Sequence, residues 1–158
     1  MLLTGFMSRK LWFAAVAGLA ACGEAPPPCT ESIAPFAAQT AGCLVSDPRG
    51  ILLVRDWRGQ LALPGGSVLD GESAHCGAER ETFEETGLPV AAQMLAQRFD
   101  NGFHLFWCQA ELVDQPRIHR PLEVKEVGWW QPAELPGEQW RYPRQGEVIL
   151  ELIRTRNP

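Results

Sequence analysis

The segment between Ser73 and Gly87 constrains this chain more than any other, because it places three carboxylates on one helical face. Ser73 stands where a capping residue belongs, the interior favours Ala, Glu and Arg, and Gly87 followed by Pro89 closes the run, so a helix is predicted over 73–86. Within it Glu81, Glu84 and Glu85 fall at i, i+3 and i+4 and share a face. Glu84 and Glu85 also sit at the helix end where the dipole disfavours negative charge. A solvated acidic face relieves part of that repulsion. A hard divalent cation, Mg²⁺ or Mn²⁺, takes oxygen ligands, offsets the charge directly and keeps water positions open for catalysis.

The flanking sequence says what such a helix packs against. Residues 41–45 and 51–55 read as strands joined through Ser46-Asp47-Pro48-Arg49-Gly50 into a hairpin, and residues 60–63 as a third short strand ended by Pro64-Gly65-Gly66. Residues 103–112 (FHLFWCQAEL) are broadly apolar and read as a central strand, while residues 126–130 give an edge of sheet. Over 145–153, Val148, Ile149, Leu152 and Ile153 form the apolar stripe of a packed helix. Strands, helix, strands, helix around one core predict an α/β (α+β) sandwich in a single domain over 38–158, with no internal repeat. The chain carries 14 Lys+Arg against 19 Asp+Glu, a net charge of −5, so no basic surplus is available to release counterions from a nucleic acid.

The amino terminus poses a separate problem. Met7-Ser8-Arg9-Lys10 is a short positive region, and the apolar run over 11–18 is well short of the roughly 20 residues that span a bilayer. That is the core of an export signal, with Met1 or Met7 as the start. Leu19-Ala20-Ala21-Cys22-Gly23 resembles the lipobox of bacterial lipoproteins. The resemblance implies a signal peptide over 1–21, cleavage before Cys22, and acyl chains such as palmitate on that residue, which anchor stably in a membrane. Residues 22–37 then form the lipidated Cys and a Pro-rich tether holding Pro26-Pro27-Pro28, and the domain faces the periplasm of a bacterial envelope. Gly23 is not an Asp-type retention signal, which resembles outer-membrane sorting. An ordinary cleaved signal, an uncleaved apolar N-terminus, or a cytoplasmic chain with a misassigned start are the alternatives. In an oxidising envelope Cys29, Cys43, Cys76 and Cys108 make an even set with three possible pairings. Cys43 and Cys108 lie in strand-like runs and Cys76 in the helix, so a bridge can pin the helix to the sheet or the tail to the core. No CxxC pair or His cluster suggests a zinc site.

Gly66-x5-Glu72-x7-Arg80-Glu81-Thr82-x-Glu84-Glu85-x-Gly87-Leu88 resembles the Nudix box of the Nudix hydrolases, the MutT-like pyrophosphohydrolases. Thr82 departs from the pattern, standing where an aliphatic residue is typical. The aromatic residue often found just before the LPGG turn is also missing, with Leu61 in its place and Trp57 earlier. The resemblance covers about 38–153 and implies an α/β/α sandwich with a mixed β-sheet between helices. It implies that Glu81, Glu84 and Glu85 are catalytic and bind Mg²⁺ (or Mn²⁺), one of the three, or a metal-bound hydroxide partner, serving as general base, with the Gly65 carbonyl as a further ligand. Gly66, Glu72, Arg80 and Gly87 would support them, Arg80 and Glu72 by a salt bridge that orients the glutamates. A later carboxylate is expected from Glu123, with Glu126 as the fallback. Arg58, Trp130 and Tyr142 are the expected substrate contacts, drawn from a wider set with Trp57, Phe103, His104, Trp140 and Arg141. The activity implied is metal-dependent hydrolysis of a phosphoanhydride in a nucleoside diphosphate linked to another moiety. ADP-ribose, dinucleoside polyphosphates, nucleotide sugars and lipid diphosphates all remain open as substrates. The other class is a lipoprotein that senses or binds a nucleotide without turnover.

Overall fold

The computed structural model describes residues 24–30 and 33–156; the signal-like segment and Cys22 lie outside the described residues. The elements run β1 (Thr40–Asp47), β2 (Gly50–Asp56), β3 (Leu61–Ala62), β4 (Gly65–Ser67), α1 (Ala74–Thr86), β5 (Val90–Arg98), β6 (Phe103–Ala110), β7 (Val124–Trp130), a 3₁₀ helix (Pro132–Gly137) and α2 (Gln145–Arg156). The strands are ordered β3-β2-β1-β6-β5, with β4 also on β1 and β7 also on β2. Among these strands only β1 and β6 run parallel, so the sheet is mixed. The expected hairpin forms, with Pro48 and Arg49 as its loop between the paired residues Asp47 and Gly50. The Asp47 carboxylate accepts a 2.8 Å bond from the Arg49 N–H, which closes the turn.

Period-two alternation along the strands separates two cores. Cys43, Val45, Leu52, Phe106 and Cys108 pack toward α1, whereas Leu44, Ile51, Leu53, Leu105 and Trp107 pack toward Ile149 of α2. The sheet therefore lies between helices, an α/β/α sandwich of α+β class. β6 is central, flanked by β1 and β5, as its apolar sequence suggests. Pattern reading leaves out two strands, the short β4, which continues from the Pro64-Gly65-Gly66 turn to pair with β1, and β5. The β5 sequence, VAAQMLAQR, is rich in helix formers, and its register shifts twice, between Ala92 and Met94 and between Leu95 and Gln97, which erases the alternation that marks a strand.

α1 keeps the expected span, but Ser73 caps it differently. The Ser73 side chain makes no capping bond to the first turn. Its hydroxyl instead contacts His75 Nδ1 at 3.1 Å and Cys76 Sγ at 3.0 Å, and the Phe36 carbonyl accepts from the Ala74 N–H at 2.8 Å. At the other end Gly87 adopts φ +66° and donates its N–H to the Phe83 carbonyl at 2.7 Å. Only a residue without Cβ takes that left-handed conformation at no cost.

From Cys29 onward, the segment before β1 is held to the domain and is not a free tether. Cys29 is bonded to Cys76 on α1, and Cys43 on β1 to Cys108 on β6, with Cα separations of 5.1 and 5.5 Å. The buried Glu79 carboxylate accepts the Thr30 N–H at 2.9 Å and the Ala92 N–H at 2.8 Å, joining tail, helix and β5. Ile33, Phe36 and Ala38 pack on the core beneath α1. One bridge thus pins the tail to the helix and the other ties adjacent parallel strands. The non-reduced protein should yield Cys29–Cys76 and Cys43–Cys108 peptides on mass-spectrometric mapping. Replacing either pair by serines should lower unfolding stability by about 3 kcal/mol in urea titrations; a different connectivity, or unchanged midpoints, would contradict this arrangement.

Candidate active site

α1 is enclosed on nearly all sides, and its acids go in with it. Glu81 and Glu85 are each 6% exposed, which excludes a solvated acidic face. Burying like charges within one turn demands compensation, and three devices supply it. Arg80 lies across the cluster. Its Nε donates to Glu72 at 2.8 Å, its Nη1 to Glu81 at 2.9 Å, and its Nη2 to the Ser67 carbonyl at 2.7 Å. Glu72 is further fixed by the Leu69 N–H at 2.8 Å, and the Arg80 guanidinium holds its carboxyl below the ordinary range. The second device is Arg120, which reaches Glu81 Oε2 at 3.3 Å and pairs with Glu84.

The third device is a proton. Burial pushes the Glu85 carboxyl up to about 8, and the charges of Glu81 and Glu123 add to that effect, while the Gly65 N–H and Arg141 oppose it. The Gly65 N–H donates to Glu85 Oε2 at 2.9 Å, holding the group against the turn between β3 and β4. Beside it, a Cβ added at Gly66 would meet the Glu81 carboxylate at 2.6 Å, so glycine is what lets this strand lie against the acids. Thr82, the departure from the family pattern, is fully buried and returns its hydroxyl to the Ala78 carbonyl at 2.7 Å, leaving its polar group paired within the helix.

Glu85, Gly65 and Gly66 line a cavity of about 480 Å³, together with Phe99, Phe103, Arg141 and Tyr142. The last two are placed there because the chain after the 3₁₀ helix bonds to β3. Leu61 N–H donates to the Gln139 carbonyl at 2.7 Å and Arg141 N–H to the Leu61 carbonyl at 2.9 Å. Phe99 and Phe103 close the β5–β6 turn, their rings 5.9 Å apart.

Tyr142, Arg141 and Phe103 thus meet Glu85 around one cavity, and Glu72 and Arg80 form the ion pair expected of them. The other expected substrate contacts lie elsewhere. Trp130 is buried in the core facing α2, and Arg58 sits in the turn after β2, outside the cavity lining. Trp57 donates to the Pro121 carbonyl at 3.0 Å, Trp140 to the Leu135 carbonyl at 3.4 Å, and His104 packs against Phe36. Glu123 is exposed and 3.5 Å from Arg120, while Glu126 is bound by Arg55 at 2.8 Å, away from the cluster. Arg120 and Phe99 escaped sequence reading. Arg120 sits with Arg117 and His119 in a short basic stretch, which is the one signal that marks it. Cys29, His75 and Cys76 also bring ligand atoms within 4.8 Å of one another, but the two sulfurs are bonded to each other and not open to a metal.

The NUDIX domain family matches residues 37–152. No curated protein matches the chain. Among solved structures, an ADP-ribose pyrophosphatase from Streptococcus suis is 22% identical with a TM-score of 0.61, covering 73% of this chain and 90% of that one. A NUDIX hydrolase from Nitrosomonas europaea is 23% identical with a TM-score of 0.63, over 76% and 90% of the two chains. A C. elegans Ap4A hydrolase, solved as a binary complex, is 15% identical with a TM-score of 0.58, over 73% and 96%. These likenesses establish the fold, and the family match extends across the carboxylate helix and every strand of the sheet. The chain belongs to the NUDIX domain family.

Proposed function

We propose that this enzyme hydrolyses a phosphoanhydride in a nucleoside diphosphate linked to another moiety, using Mg²⁺ or Mn²⁺, while held at a bacterial envelope membrane by lipid on Cys22. The observation that carries the chemistry is the burial of Glu81 and Glu85 beside Glu84, with Glu85 facing a cavity of substrate size. Oxygen donors at this density suit a hard divalent ion. Glu81, Glu84 and Glu85 would hold it, with the Gly65 carbonyl and Glu123 as further ligands. When bound, the ion neutralises charge on the diphosphate and lowers the pKa of the attacking water. Arg80, fixed by Glu72 and Ser67, keeps Glu81 and Glu84 turned toward one point. As a ligand Glu85 would bind in its carboxylate form, its proton passing to solvent. Phe99, Phe103 and Tyr142 offer flat apolar faces to a base, and Arg141 a cation to a phosphate. The S. suis and C. elegans proteins are named for ADP-ribose and Ap4A, both nucleosides on a phosphoanhydride, which supports that substrate class.

For the envelope, support comes from the lipobox-like sequence and from cysteines paired as an oxidising compartment favours. No helix among the described residues is long and apolar enough to cross a membrane, so the anchor would be the lipid.

The test is phosphate release from a panel of nucleoside diphosphate derivatives, using the full chain in detergent with Mg²⁺ or Mn²⁺ and a coupled phosphatase. Turnover should require the metal and fall by orders of magnitude in Glu84→Gln and Glu85→Gln with the fold retained. Silence across the panel with nucleotides still bound would favour a sensor. A second outcome follows from the raised Glu85 carboxyl. Its folded value of about 8 lies above the unfolded 4.5, so the stability it contributes is complete below about pH 4.5 and is lost as pH rises through 8. In EDTA, Glu85→Gln should therefore gain on the wild type by about 3–5 °C in Tm per pH unit across this window; a gap that does not change with pH would contradict the buried proton. Finally, Cys22→Ser should move the protein from membrane to soluble envelope fraction, and continued membrane association would remove the lipid anchor.

A further inference from the structure

Arg120 is the feature that the reaction above does not use. It lies on the loop between β6 and β7, and its guanidinium touches three of the proposed ligands. Nη1 is 3.3 Å from Glu81 Oε2 and 3.5 Å from Glu123 Oε2, and Nη2 pairs with Glu84. Among the described residues its side chain has no partner outside these carboxylates. Arg80, which meets Glu81 and Glu84 from another direction, differs in kind. It is bound by both oxygens of Glu72 and by the Ser67 carbonyl, and its side chain is 14% exposed against 35% for Arg120. The backbone beneath Arg120 is nevertheless fixed, since its carbonyl accepts the N–H groups of Glu123 at 3.0 Å and Val124 at 2.8 Å. Arg120 is therefore a part-exposed cation on a fixed root, aimed at the acidic cluster.

We propose that Arg120 is a built-in competitor of the divalent ion, pairing with Glu81, Glu84 and Glu123 until the metal displaces it and thereby setting the concentration at which the site loads. This rests on the metal-dependent reading above. The physical reason is that a guanidinium and a metal ion cannot share the same carboxylate oxygens at full strength, and the guanidinium is tethered, so its local concentration is high. Without it the acids repel one another more strongly in the empty site, and a divalent ion relieves more strain on entering. Once displaced, the same side chain stays rooted beside the cluster, where an anionic diphosphate is its natural partner.

The experiment is a Mn²⁺ titration of the EDTA-stripped full chain in detergent, read by the loss of the free Mn²⁺ electron paramagnetic resonance signal at low salt. Arg120→Ala should bind Mn²⁺ about tenfold more tightly than wild type, the size expected from removing two or three partly exposed ion pairs. Arg120→Lys, which keeps the charge, should stay nearer to wild type. Should Arg120→Ala lose its fold by circular dichroism, Arg120→Gln takes its place. Unchanged or weaker Mn²⁺ binding in the neutral variants, with the wild type binding well, would overturn the proposal and leave the hydrolase intact. Absence of binding in wild type and variants alike would instead remove the metal-dependent reading and this inference with it.

Discussion

Everything about this molecule follows from the cost of burying Glu81 and Glu85 on the same turn of α1. Carboxylates in a low-dielectric interior must be paired, protonated or bound to a cation, and the structure uses the first two around one cluster. Arg80 and Arg120 pair with Glu81 and Glu84, and Glu85 keeps its proton under the Gly65 N–H. These are arrangements a cation can replace. A fold that sought only stability would put apolar residues there, since well-packed hydrophobic groups cost less than buried charges. The acids are kept at a cost to the metal-free protein, and Glu85 lies against a cavity.

The scaffold holds the helix accordingly. α1 is gripped at its start by the Phe36 carbonyl and the bridge from Cys29 to Cys76, at its middle by Glu79 bonded to Thr30 and Ala92, and at its end by Gly87. Several of these contacts come from the segment before β1. Before Cys29 the chain stays at the surface, where exposed Glu24 pairs with Arg117 at 2.6 Å.

How much of this is legible in the sequence depends on range. Local signals are plain: the hairpin around Pro48, the closing Gly87, the apolar stripe of α2 and the Glu72–Arg80 pair each follow from one element and its flanks. Long-range facts are not. β5 hides because two register shifts break its alternation, and Trp130 reads as a ligand contact although β7 turns it into the core facing α2. Ser73 has the right identity for a cap, yet the hydroxyl is drawn to His75 and Cys76 while a carbonyl from the tail takes over. Arg120 shows the limit most clearly, since only the path of the loop from β6 to β7 brings it within reach of Glu81, 39 residues earlier.

The central claim is that the carboxylate cluster is a seat for a divalent ion beside a diphosphate pocket. Anomalous diffraction from crystals soaked in Mn²⁺ with a non-hydrolysable ADP-ribose analogue tests it most directly. The account predicts a manganese peak among Glu81, Glu84, Glu85 and the Gly65 carbonyl, with the analogue's diphosphate against it and its base near Phe99 and Tyr142. Crystals that bind the analogue with no manganese at the cluster, and with Arg80 and Arg120 still closing on Glu81 and Glu84, would contradict it.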